Sequence, residues 1–241
     1  MATRRAIPEL APRKLPTQAR AQRTYRAIVL AGARILERQG YEGLTTNHVA
    51  DLAGVGIASL YEYFPNKHAL TAEIVRHVLE ELLADLGASA SLVTSAPPAA
   101  AMRAWLGAMY AAVAKRRAVV RVIVEEVPFL WAIPAVAQAR TRLLALAQAT
   151  RDLDARERGA PPLSDATLYL LATMTGAAVL EAVLRPPAAH APDALIAALA
   201  EIVLGATGQA PARRRAPTVR RARGPGSRRA PPGAGRAAAR Q

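Results

Sequence analysis

Apolar positions recur along this chain at helical spacing, and no run shows the β-branched alternation of a strand. Ile28, Ala31, Ile35 and Leu36 form one face of a first helix, predicted from about Thr17 to Gln39 and ended by Gly40; Gly32 inside it allows a close helix approach. A second, short stripe of Val49, Ala50 and Ala53 follows Thr45, whose hydroxyl suits the cap of a helix starting at Thr46. Gly54 stands where a helix end needs a left-handed residue, Val55 plugs the turn, and Gly56 opens the next helix. That helix buries Leu60 and Phe64, spaced i and i+4, and leaves Ile57, Ala58, Ser59, Tyr61 and Tyr63 for its outer face. Pro65 stops it, and Asn66 can cap a long helix running from Lys67 through Ile74, Val78 and Leu82 towards Leu86.

The stretch from Gly87 to Pro98, rich in Ala and Ser, marks a joint. Five more helices are predicted beyond it, at about 98–115, 116–127, 132–157, 164–185 and 192–207. Breaks fall at Pro128 to Pro134, at Gly159 to Pro162 and at Pro186 to Pro192. Ser164 starts the fourth of these helices, and Pro192 with Asp193 suits the first turn of the fifth. The expected fold is therefore all-α: an N-terminal three-helix, helix-turn-helix (homeodomain-like) head and a C-terminal helical bundle, about nine helices in all.

Two short helices around a glycine turn can be an ordinary hairpin with tyrosines on a wet surface. They can also be a reading head, because a helix of this size enters the DNA major groove. Ser59, Tyr61 and Tyr63 offer hydroxyls to phosphate oxygens, while Ile57 and Ala58 can approach base edges or thymine methyls.

Gly40-Tyr41, Thr45, Val49-Ala50, Ala53-Gly54-Val55, Leu60-Tyr61, Tyr63-Phe64 and Lys67 occur in order and without gaps. Over roughly residues 20 to 80, about a quarter of the chain, this pattern resembles the DNA-binding domain of the tetracycline-repressor-like (TetR) family of bacterial transcriptional regulators. The resemblance implies DNA-binding roles for Thr45 and Thr46 beside phosphates, for Gly56, Ile57, Ala58 and Ser59 in the leading turn of the recognition helix, for Tyr61 and Tyr63 after it, and for Lys67 on the backbone. Gly56 replaces the family's usual Ser or Thr cap, and Tyr63 stands where His is frequent. The family further implies a homodimer on a palindromic double-stranded DNA operator, and in most members a repressor released by a small-molecule effector. Helix count and order extend the likeness to the body, whose helices at about 164–185 and 192–207 would pack on their mates in a second subunit. Leu168, Leu171, Ala172, Thr175, Ala178 and Val179, with Leu195, Ala198, Leu199 and Ile202, give those helices broad apolar faces; the alternative is that these faces cover one monomer's own core.

Composition refines the picture. A chain of 241 residues with 52% hydrophobic residues holds a small and a medium domain. Cysteine is absent, which excludes disulfides, thiolate metal sites and cysteine nucleophiles. The net charge of +14 sits at the two ends. Residues 211–241 hold ten arginines and no acid, whereas the first 210 residues carry 22 basic against 18 acidic groups. Arg4, Arg5, Arg13, Lys14, Arg20 and Arg23 face only Glu9 within the first 23 residues. The organisation expected is a disordered basic arm over 1–16, a DNA-binding head over 17–80, a ligand-binding and dimerisation body over 81–208, and a disordered Arg/Pro/Gly/Ala tail over 209–241. The basic ends would add phosphate contacts, or merely solubilise; a non-specific architectural DNA binder acting through them is the competing function.

No targeting segment and no apolar run long enough to span a bilayer is expected, which places the chain in the cytoplasm, away from membranes. Met102, Trp105, Met109, Tyr110, Phe129, Trp131, Tyr169 and Met174 are scarce large residues that could wall an effector pocket, although any single one is more often plain core. Glu125 of the Glu125-Glu126 pair could face a cationic ligand, although adjacent acids on a helix are usually solvated. Catalysis is not expected. His48, His68, His77 and His190 have no metal-ligand spacing, Gly54-Val55-Gly56 follows no strand, and no GxSxG elbow occurs, so neither metal nor cofactor is called for.

Overall fold

The structure, a computed structural model, describes residues 9–89, 96–158 and 163–207. Nine α-helices and one 3-10 turn occur among the described residues: α1 (Ala19–Gly43), α2 (Thr46–Ala53), α3 (Ile57–Tyr63), α4 (Lys67–Ala88), α5 (Pro98–Ala114), α6 (Arg117–Glu126), the 3-10 turn Leu130–Ala132, α7 (Pro134–Arg158), α8 (Asp165–Leu184) and α9 (Pro192–Ala206). The helical body follows the predicted order, with ends within a residue or two. Residues 132 and 133 are the exception: they belong to the 3-10 turn and its exit, and Pro134 takes the first helical position, where its missing N–H costs nothing.

Local chemistry explains the breaks. Thr45 Oγ1 accepts from the His48 N–H at 3.2 Å, and Asn66 Oδ1 from the Ala69 N–H at 2.8 Å. Ser164 caps α8 by accepting from the Thr167 N–H at 3.1 Å. Gly54 ends α2 at φ 67°, a left-handed conformation. Gly40 adopts φ 74° and kinks α1, so that one further turn, 41–43, points away from the main axis.

The largest core includes residues of both head and body. Ile28, Ile35, Leu60, Phe64, Leu70 and Ile74 from the head share one buried cluster with Val120, Val122, Ile123 and Ile133 from α6 and the turn beyond it. Gly32 sits where α1 meets α4, and a methyl group there would lie 2.6 Å from Ile74 Cδ1. A smaller cluster of Leu106, Val179 and Ala200 ties α5 to α8 and α9.

Two polar seams brace this frame. Arg116, at the α5–α6 corner, reaches Asp85 at 2.6 Å and Glu81 at 3.0 Å on α4, and Lys115 joins Asp85 at 3.3 Å. The hydrogen bond from Arg116 holds the Asp85 carboxyl below its ordinary value. The neighbouring Arg117 donates to the Leu184 carbonyl at the end of α8, at 3.1 Å. Within α4 the buried Glu73 is paired with Arg76, which also bonds Glu80; the Glu73 hydrogen bond raises the Arg76 guanidinium above its usual value.

Three expectations need correction here. Within the stretch assigned to a disordered arm, Arg13 and Lys14 bond α3 as described below; residues 1–8 and 208–241 fall outside the described residues. Helix α8 runs 20 residues with a mean hydropathy of 1.6, long and apolar enough by length and composition to cross a membrane. Its face is also misplaced in the sequence reading. Val179 belongs to the monomer's own core, while Leu168, Leu171, Ala172 and Thr175 lie half-buried on that same side. The exposed stripe of α8 is Leu170, Thr173, Met174, Ala177, Ala178 and Glu181, with Tyr169 beside it. A helix apolar on all sides carries no periodic signal to distinguish its two faces.

Candidate nucleic-acid interface

The head presents α3 as a two-turn rod whose inner side is sealed by Leu60, Tyr63 and Phe64. Ile57, Ala58 and Tyr61 are exposed and Ser59 is half-buried. Thr45 is exposed at the start of α2, Gly56 lies open at the start of α3, and Thr46 is half-buried. The Tyr61 hydroxyl lies 3.0 Å from Thr46 Oγ1, so the two hydroxyls form one polar spot bridging both helices. Seven of the nine predicted contact residues, from Thr45 to Tyr61, are thus exposed or half-buried, and the Thr46–Tyr61 contact joins α2 to α3. The chemistry they offer is hydroxyls and small apolar groups, which suits phosphate oxygens and base edges.

Tyr63 is not among them. It is buried, with its ring edge-on to Tyr25 at 5.4 Å between centroids. Leu60, Tyr63 and Phe64 follow i, i+3, i+4 spacing, so geometry places Tyr63 with the core; its hydroxyl was a misleading signal. Tyr25 also contacts Phe64 at 5.0 Å, and burial pushes its hydroxyl well above the ordinary tyrosine value.

Lys67 lies half-buried at the start of α4, with Nζ 4.0 Å from the Tyr41 ring centre. Burial lowers its ammonium below the usual lysine value. The ring faces that cation as an electrostatic partner, so Lys67 is oriented from within the protein.

Elsewhere on the head, α6 meets the kink of α1. Glu126 Oε2 accepts from the Tyr41 N–H at 2.8 Å, and a methyl group on Gly40 would stand 2.6 Å from the same oxygen. Phe129 packs against Tyr41 at 6.0 Å and His68 at 5.1 Å. A cleft of about 860 Å3 opens here between Glu37, Gln39, Lys67, Arg121 and Glu126, and none of the nine predicted pocket residues lines it.

Those nine residues are not brought together. Met102, Trp105, Met109 and Tyr110 line α5 around the smaller core cluster. Phe129 serves the head–body junction. Trp131, at 82% exposure, stands in solvent, and Tyr169 and Met174 are exposed on α8. Glu125 pairs with Arg185 at 2.9 Å, which occupies the carboxylate expected to meet a cationic ligand.

The contacts missed by sequence reading come from the arm. The Arg13 N–H donates to the Tyr63 carbonyl at 2.7 Å, and its guanidinium to the Tyr61 carbonyl at 3.2 Å. Lys14 Nζ bonds Glu62 Oε2 at 2.8 Å, a hydrogen bond that raises the ammonium above its usual value. These partners lie 48 to 50 residues apart, and no local pattern connects them.

Residues 28–74 match the family model described as bacterial regulatory proteins, tetR family. Over 63 residues the chain is 36% identical to the HTH-type transcriptional regulator RutR of Escherichia coli, a match covering 26% of this chain and 30% of that relative's length. Solved structures extend the likeness beyond the head. A TetR transcription regulator from Haloarcula marismortui superposes with a TM-score of 0.59 at 17% identity, over 77% of this chain and 96% of that one. A transcriptional regulator from a Rhodococcus species does so with a TM-score of 0.57 at 23% identity, over 77% and 96% of the two chains. Residues 28–74 are therefore similar to the head of the tetR family of bacterial regulatory proteins, and the chain as a whole shares its fold with solved TetR-like structures.

Proposed function

We propose that this chain is a sequence-specific DNA-binding transcriptional regulator, acting by binding rather than catalysis. The observation that carries the reading is the outward face of α3: Ile57, Ala58 and Tyr61 exposed together, with Tyr61 joined to Thr46 across the turn. Thr45, Thr46, Gly56, Ile57, Ala58, Ser59 and Tyr61 form the proposed contact surface, with Lys67 flanking it. The head is taken as 17–80 and the effector and dimer body as 81–208.

The apolar stripe of α8 supports a homodimer. Met174 and Ile202 are each 62% exposed and Leu170 is 55% exposed, an unusual display for a helix pair at the end of a chain's core. A second copy of α8 and α9 would cover them in a four-helix contact, and covering that face is the role proposed for the apolar helix in a cytoplasmic protein. Two heads related by a two-fold axis would then address a palindrome whose half-sites lie about 34–36 Å apart. Repression relieved by a small molecule is the mode proposed by analogy with the TetR family.

Selection from random duplexes, followed by footprinting, tests the reading. One palindrome should be preferred over random sequence by about 10³-fold or more at physiological salt. Equal affinity for every duplex would favour the architectural alternative instead.

A further inference from the structure

Helix α3 has little to hold its own shape. It has seven residues and no side-chain cap at its N-terminal end, and isolated helices shorter than about 12–15 residues are marginal in water. Its last carbonyls find no partner within the helix. Arg13 supplies two of the missing donors from outside, its N–H to the Tyr63 carbonyl and its guanidinium to the Tyr61 carbonyl. The guanidinium also opposes the negative end of the helix dipole. Beside it, Lys14 engages Glu62, the sole acid of α3, with Nζ 5.2 Å from the Tyr63 ring centre. Leu10 packs against the main core and anchors the segment from its other end.

We propose that residues 10–14 clamp the C-terminal end of α3 and fix its aim, making Arg13 a positioning residue that determines specificity. The inference rests on the DNA-binding reading above. Arg13 holds the carbonyl of Tyr61, the residue whose side chain faces outward, so loosening that bond frees the reading side chain itself. Lys14 meanwhile offsets a carboxylate that would repel phosphates. The clamp acts on which sequence is read; it does not supply phosphate contacts of its own.

The test uses the full chain, Arg13→Ala and Arg13→Pro, the second removing the N–H as well. Affinity is measured for the selected palindrome and for a random duplex over a range of salt. Arg13→Ala should weaken palindrome binding about tenfold, the loss expected for one charge-assisted hydrogen bond. Random-duplex affinity should change by less than about twofold with the salt slope intact. Arg13→Pro should lose more on the palindrome. In the absence of DNA, amide exchange at Tyr63 and Phe64 should quicken in both variants. Equal losses on both duplexes, with a salt slope smaller by about one, would make Arg13 a phosphate contact and overturn the clamp. Unchanged binding and unchanged exchange would overturn it too. A wild-type chain without sequence preference overturns the regulator reading first, which separates the two failures.

Discussion

A methyl group placed on Gly32, Gly40 or Gly54 meets three different obstacles. At Gly54 nothing lies within 4 Å, so only the left-handed backbone resists, and Gly54→Ala should cost about 1–2 kcal/mol. At Gly40 the same backbone strain adds to displacement of Glu126, so Gly40→Ala should cost more. At Gly32 the obstacle is the tip of the Ile74 side chain, and a gain in helix propensity of about 1 kcal/mol offsets its shift, leaving Gly32→Ala closest to neutral. Urea midpoints of the three variants check that order. The reading surface admits an equally local test. Tyr61→Phe removes the hydroxyl shared with Thr46 and leaves the core untouched, so palindrome affinity should fall about tenfold with the urea midpoint unchanged.

Helix α4 is held to the body by carboxylates, which makes its bracing acid-sensitive. The folded value of Asp85 lies below its ordinary 3.8, so the contribution of its bond to Arg116 is complete above that pH and is lost as pH falls through the folded value. Asp85→Asn should therefore be less stable than wild type at neutral pH, with the gap closing as pH drops below about 3.8; urea titrations at several pH values follow it. Elements such as α4 were legible because their signals are local. Thr45, Gly54, Asn66 and Ser164 each mark a boundary through a neighbour no more than four residues away, and Pro192 marks one by its own missing N–H. The outward face of α3 was legible for the same reason, apart from Tyr63. The arm's bonds to α3 and the exposed side of α8 were not, since the first join residues far apart in sequence and the second belongs to a helix apolar all round. Large side chains such as Trp131 and Phe129 indicated a pocket by type alone, and type does not fix direction.

At the scale of the whole molecule, the uncovered stripe of α8 is the proposed contact between subunits. Met174→Lys should leave the monomer fold intact, because this side chain contributes nothing to the buried clusters, and should halve the mass measured by light scattering. A mass already that of one chain in the wild type would remove the four-helix contact. The bond between Glu126 and the Tyr41 amide carries a further consequence. It fastens the last turn of α6 across the kink of α1, so each head inherits its stance from a strut as well as from the α4 connection. On the proposed function, a compound lodged in the body reaches the DNA-contacting end only by displacing the strut, the α4 connection or the shared core, because only unequal affinity for two stances can move the balance between them.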